Sequence, residues 1–152
     1  MTKVTKRASI CLIHDKARSS DVFIELSLHL ALNGFVVYMI DLEGSGYSAG
    51  NRINNLTVEK FHYQVATCLM QVSPDLPCYM LGHGVGALAI NTFLGRNPKL
   101  ASRVAGVFYC APMFGSPDKF SVLDKLRIFL QSSFMDEIIL MEKMPIQKHC
   151  RN

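Results

Sequence analysis

A short apolar run, Cys78-Tyr79-Met80-Leu81, feeds into Gly82-His83-Gly84-Val85-Gly86-Ala87, and a second apolar stretch follows. This is the spacing of a strand-to-helix turn in which the middle residue of G-x-S-x-G stands at the tip, where a serine hydroxyl can attack an acyl carbon. The middle residue here is Gly84, which has no side chain to present. The window has the shape required for nucleophilic acyl transfer and lacks the attacking oxygen. Ser45, Ser48 and Cys78 are the nearest alternative nucleophiles in motif terms, and none of them occupies the tip. Gly82 and Gly86 have a packing explanation instead, since a residue without Cβ lets helix and strand approach closely. A serine at such a tip is held in a strained conformation costing roughly 1–3 kcal/mol, which glycine largely removes.

The five histidines do not compensate. His14 and His83 belong to the strand end and the turn and read as locally hydrogen-bonded framework residues; His29 and His62 fall on helical patterns, and His149 lies in the tail. No ligand spacing links them to one another or to the five cysteines, which argues against metal binding and against a disulfide framework. Cys11, Cys78 and Cys110 sit inside apolar runs, where cysteine behaves as a small hydrophobe. A reducing intracellular compartment is expected, the cytoplasm first, with an organelle address left open by the basic first ten residues. No cofactor is expected.

Holding such a turn in place takes a strand before it and a helix after it, and the chain repeats that pair. Ala8–Ile13 reads as a first strand ending at His14-Asp15. Val22, Phe23, Leu26, Leu30 and Ala31 recur at helical spacing between a Ser20 cap and Gly34, placed as a left-handed C-terminal cap. Phe35–Ile40 is a continuous apolar run, the pattern of a strand buried on both faces. A glycine-, serine- and asparagine-rich loop over 44–55 precedes a second helix on Val58, Phe61, Val65 and Leu69, stopped near Val72 by Ser73-Pro74-Asp75-Leu76-Pro77. Residues 78–81 are the third strand, 85–94 the third helix and Val104–Cys110 a fourth buried strand ended by Pro112. The β-α alternation implies a parallel sheet sandwiched by helices.

Composition sets the outer bounds. The 152 residues suit one domain with a sizeable core. Hydrophobic residues make up 49% and charged ones 18%, below the usual quarter or so, so apolar surface is left over for a partner. The net charge of +4 comes from scattered Lys and Arg, which gives nucleic-acid binding little support. Residues 78–95 form the longest weakly polar stretch, but four glycines, His83 and Asn91 interrupt it, so no transmembrane segment is expected.

Four blocks in order carry a specific resemblance. Leu12-Ile13-His14-Asp15, Asp41-Leu42-Glu43-Gly44-Ser45-Gly46-Tyr47-Ser48-Ala49-Gly50, the 82–87 turn, and Cys110-Ala111-Pro112-Met113 resemble the monoacylglycerol lipase and serine aminopeptidase branch of α/β hydrolases. In that family the corresponding blocks are a strand ending in His-Gly, a D-x-x-G-H-G-x-S-x-G loop, a G-H-S-M-G-G elbow and the strand end before a lid. Phe120-Ser121-Val122-Leu123-Asp124-Lys125-Leu126 is similar to its first lid helix. The resemblance spans roughly residues 8–135, the first part of a family member of about twice this length. It implies an α/β fold of truncated hydrolase type, with about four parallel strands sandwiched by helices. The core would cover 1–114 and a lid-like helical segment 115–152, in a single domain overall.

The departures carry as much as the matches. Gly84 stands where the resemblance puts the nucleophile, and Ser45 where it puts the loop histidine. The oxyanion hole it implies would use the backbone N–H of Val85 and another from the loop after His14, where Asp15 replaces glycine and would oppose a developing negative charge. The implied catalytic acid and base lie beyond the lid; Asp118, Asp124, Asp136 and His149 lie in or near it and are not assigned as a triad. No catalytic residue is therefore assigned: the elbow Gly82, His83, Gly84, Val85 and Gly86 and the oxyanion loop His14 and Asp15 read as degenerate. The expected function is that of a catalytically inactive subunit with a structural or protein-interaction role, its partner covering sheet edges or lid helices. Two alternatives stand beside it: one part of a monoacylglycerol lipase-like hydrolase completed by another chain, and a module holding a residual lipid or acyl ligand.

Overall fold

A computed structural model describes residues 5–16, 18–50 and 57–112. The lid-like helices expected over 115–152 and part of the loop before the second helix lie outside these residues. The chain divides into two compact units, Met1–Pro117 and Asp118–Asn152. The first contains strands β1 (Ala8–Ile13), β2 (Phe35–Ile40), β3 (Cys78–His83) and β4 (Val104–Cys110), with helices α1 (Ile24–Leu32), α2 (Val58–Gln71), α3 (Val85–Arg96) and the single turn α4 (Pro98–Ala101). All pairings are parallel, in the order β2-β1-β3-β4.

Alternation along the strands divides the core. Cys11 and Ile13 of β1 point to one face, with Met80 and Cys78 of β3, and meet Val65, Cys68 and Leu69 of α2 and Ile90 and Phe93 of α3. Ile10 and Leu12 point to the other, where Phe23 and the partly buried Leu30 cover them. Each fully buried side chain of this size contributes about 1.5–3 kcal/mol, so β1, buried along its whole length, anchors both layers. The helix-on-both-faces arrangement read from the sequence is the one observed.

Several local expectations need correction. The uniformly apolar β2 and β4 suggest strands buried on both faces, yet they are the outer strands of the described sheet, and Met39, Phe108 and Tyr109 are 38%, 55% and 40% exposed. Hydropathy is the same in a central and an edge strand; only strand order separates them. Cys110 is exposed for the same reason. Ser20 does not cap a helix with its side chain; it opens a 3-10 turn (Ser20–Phe23), and its N–H donates to Asp41 Oδ1 at 2.7 Å. Gly34 does adopt the left-handed conformation expected after the first helix, with φ 88°.

Candidate functional site

A single residue separates β3 from α3. Gly84 has φ 53° and ψ −115°, a conformation that L-residues rarely adopt. The backbone around it is held on both sides. Gly84 N–H donates to Cys110 O at the end of β4 at 3.0 Å, and α3 starts immediately afterwards. A Cβ on Gly82 would lie 2.6 Å from the backbone Cα and N of Ala87, and one on Gly86 would strike Ile13 O and lie 2.7 Å from His14 O. The first turn of α3 is thus pressed backbone to backbone against the ends of β1 and β3, and glycine spacing in the sequence is the local cause. His83 closes β3, half-buried, in register with Cys110.

The residues after β1 enter the same space. Asp15 Oδ1 accepts hydrogen bonds from Val85 N–H at 2.7 Å and from Lys16 N–H at 2.8 Å. These are backbone donors at a helix N-terminus, where the first N–H groups lack partners inside the helix and negative charge is favoured. A Cβ built on Gly84 would collide with the Asp15 carboxylate. His14 is fully buried; its Nε2 accepts from Leu42 N–H at 2.9 Å, so the ring proton is on Nδ1, which donates to Asp15 O at 2.7 Å. Nε2 ties the end of β1 to the segment after β2 and Nδ1 is held by the neighbouring carbonyl, leaving neither for proton transfer.

The loop after β2 is knotted by Asp41. Its Oδ1 accepts from Ser20 N–H and its Oδ2 from Tyr47 N–H at 2.8 Å, while Ser48 Oγ donates to Asp41 O at 2.6 Å. Burial works against the ionised carboxylate, but the N–H groups of Ser20 and Tyr47 and the Ser20 hydroxyl outweigh it and hold the group below the ordinary aspartate range. Gly46, with φ 50°, is required because a Cβ there would collide with this carboxylate. Ser45 N–H donates to Leu42 O at 2.8 Å as part of the turn. Between this loop and α2 lies an open depression of about 400 Å³ whose lining includes Asp41, Glu43, Lys60 and Tyr63 but neither Gly84 nor Asp15.

Three thiols meet in the core. Contact with Cys68 raises the Cys11 thiol, contact with Cys78 pulls it back in part, and burial adds to the rise; contact with Cys11 and then burial raise Cys78. The Cys11 and Cys78 thiols therefore stay protonated at neutral pH. The sequence showed apolar runs around Cys11 and Cys78, but the approach of Cys68 from α2 had no sequence signal. Among the described residues no group of three His, Cys, Asp or Glu is placed to hold a metal ion, and no helix is long and apolar enough to cross a membrane. Asp118, Asp124, Asp136 and His149 lie outside the described residues. The contact of Asp15 with Val85 had a partial signal in the exchange of glycine for aspartate at a strand end; the second donor, Lys16 N–H, had none.

A parallel sheet covered by helices on both faces, with a glycine-bounded strand-turn-helix at the end of β3, defines an α/β-hydrolase fold. The chain aligns with a monoacylglycerol lipase of Paleococcus ferrophilus at TM-score 0.68 and 19% identity, covering 88% of this chain and 51% of that one. A soluble variant of monoglyceride lipase from Saccharomyces cerevisiae aligns at TM-score 0.63 and 20% identity, over 88% and 46%. For a thermostable carboxyl esterase from Bacillus coagulans the values are 0.63 and 22%, over 84% and 42%. The chain spans about half the length of these structures. Residues 4–152 match the profile of the family described as Serine aminopeptidase, S33, and the chain belongs to that family of serine hydrolases. Among curated proteins nothing matches it.

Proposed function

We propose that this chain is a non-catalytic member of its family, a pseudoenzyme kept as a structural or protein-interaction subunit of a larger assembly. The observation that supports this most is the Asp15 carboxylate hydrogen-bonded to Val85 N–H in front of a residue, Gly84, that carries no hydroxyl. Acyl transfer at such a turn needs an attacking oxygen, and N–H donors aimed at the negative charge that develops on the substrate oxygen. Glycine offers no attacking atom. The donor is engaged by a carboxylate, whose charge repels an incoming oxyanion where a substrate carbonyl would need attraction. His14 has no nitrogen to spare for a proton.

An interaction role draws support from surface chemistry. Phe108 on β4, and Leu28 and Leu32 on α1, are 55%, 59% and 75% exposed, and β4 carries neither charge nor proline to discourage pairing. The free thiols Cys11, Cys68, Cys78 and Cys110 support a reducing intracellular compartment. Treatment with a serine-directed fluorophosphonate tests the non-catalytic reading. No residue of this chain is expected to be labelled under conditions that saturate an active serine hydrolase. Stoichiometric labelling at any serine, abolished by prior denaturation, would overturn the proposal.

A further inference from the structure

We infer that Asp15 and Gly84 form one steric and hydrogen-bonded interlock, in which the aspartate caps α3 from another part of the chain and can do so only because residue 84 has no side chain. Three observations meet at this point. Gly84, the residue before α3, makes no side-chain cap, so the orphan N–H of Val85 needs an acceptor from elsewhere. Asp15, separated from it by 70 positions, supplies that acceptor at 2.7 Å and uses the same Oδ1 for Lys16 N–H. Finally, the atoms that a Cβ on residue 84 would meet first are the three atoms of the Asp15 carboxyl group.

The interlock accounts for both residues together. A side chain at 84 must push the carboxylate aside, which removes the acceptor from Val85 and returns an unsatisfied donor to the start of α3. The carboxylate in turn is favoured at this location by the N-terminal end of a twelve-residue helix. Aspartate in place of a small residue at 15 thus acts as a cap for the helix as well as an obstacle in the turn. The inference does not depend on whether the chain turns over an ester, because its test reads stability and amide exchange. Either reading can therefore fail while the other stands.

The test is a double-mutant cycle of Gly84→Ala and Asp15→Ala on the full chain, followed by urea unfolding. Asp15→Ala removes the colliding atoms and the acceptor together. In the wild-type background Gly84→Ala loses both backbone comfort and the Asp15 cap; in the Asp15→Ala background the cap is already gone. The coupling is expected to be at least about tenfold in the unfolding equilibrium constant, the ~1.4 kcal/mol to which a factor of ten corresponds. Additivity within threefold would overturn the interlock. Asp15→Asn keeps the volume and an acceptor but not the charge, so Gly84→Ala must stay clearly more damaging there than in the Asp15→Ala background, and a cost equal to that in the Asp15→Ala background would refute the steric half. Should Gly84→Ala fail to fold, Asp15→Ala alone decides: Val85 amide exchange is expected to speed at least tenfold relative to amides in the middle of α3. Unchanged Val85 exchange would overturn the proposal.

Discussion

Gly86 and Gly95 lie in the same helix, and alanine at the two positions should act with opposite sign. Alanine in place of glycine inside a helix ordinarily stabilises by up to about 1 kcal/mol, because it narrows the unfolded chain's freedom and is the better helix former. At Gly95, where a Cβ meets nothing within 4 Å, that gain should be realised. At Gly86 the new atom strikes Ile13 O and sits 2.7 Å from His14 O. Clearing His14 O alone to the 3.4 Å at which ordinary contact begins requires 3.4 − 2.7 = 0.7 Å of movement between α3 and the end of β1, and Ile13 O, which is nearer, requires more. Those atoms are backbone, bounded by β1 on one side and by Ile90 and Phe93 in the core on the other, and packed interiors yield little. Overpacking of this kind costs about 1–3 kcal/mol, which exceeds the propensity gain. The expected net loss for Gly86→Ala is about 1–2 kcal/mol, or a fall in Tm of about 3–8 °C. Urea unfolding of the two variants beside the wild type measures both, with m unchanged as the sign that only stability moved. If Gly86→Ala unfolds at or above the wild-type midpoint, or Gly95→Ala falls with it, the close approach of α3 to β1 does not exist as described.

The remaining predictions concern titrating groups. Asp41 has its folded carboxyl held below the ordinary value of 3.8, so its contribution is present above that value and is lost as pH falls from there through the lower folded value. Asp41→Asn should be less stable than the wild type at neutral pH and show a shallower acid loss in urea midpoints between pH 6 and 3; parallel curves would refute the loop knot. The Cys11 and Cys78 thiols are raised above the ordinary 9.0, so their contribution is complete below that value and declines as pH rises past it. A disulfide reagent applied to the native protein at pH 8 should modify Cys110 promptly and leave Cys11, Cys68 and Cys78 unmodified until denaturant is added; fast modification of Cys11 would contradict its burial.

Much of the fold was legible because the strands announce themselves. Phe35–Ile40 is a continuous apolar run between Gly34 and Asp41, and Val104–Cys110 is another that stops before Pro112, so local chemistry bounded both. The turn at 82–86 was equally plain, since three glycines at alternate positions leave few conformations for a bulkier backbone to imitate. β3 runs two residues further than its apolar letters, through Gly82 to His83, because its register with β1 and β4 continues past the hydrophobic part. Ser20 looked like a helix cap because serine often is one, but its backbone N–H and its hydroxyl are both turned to the carboxylate of Asp41, 21 positions later.

The order and kind of the elements, the absence of a hydroxyl at residue 84 and the placing of an acid at residue 15 are properties of the amino-acid order, because they depend on residue type and near spacing. Edge and centre were decided by tertiary structure, which makes β1 the buried strand and exposes Phe108 on a strand of the same hydropathy. It also decided that Asp15 does more than stand near the turn: it reaches across 70 positions to Val85 N–H and fills the volume in front of Gly84. Contacts of that kind follow from how strands align and how closely a helix can sit on them, and no local pattern of residues encodes that distance.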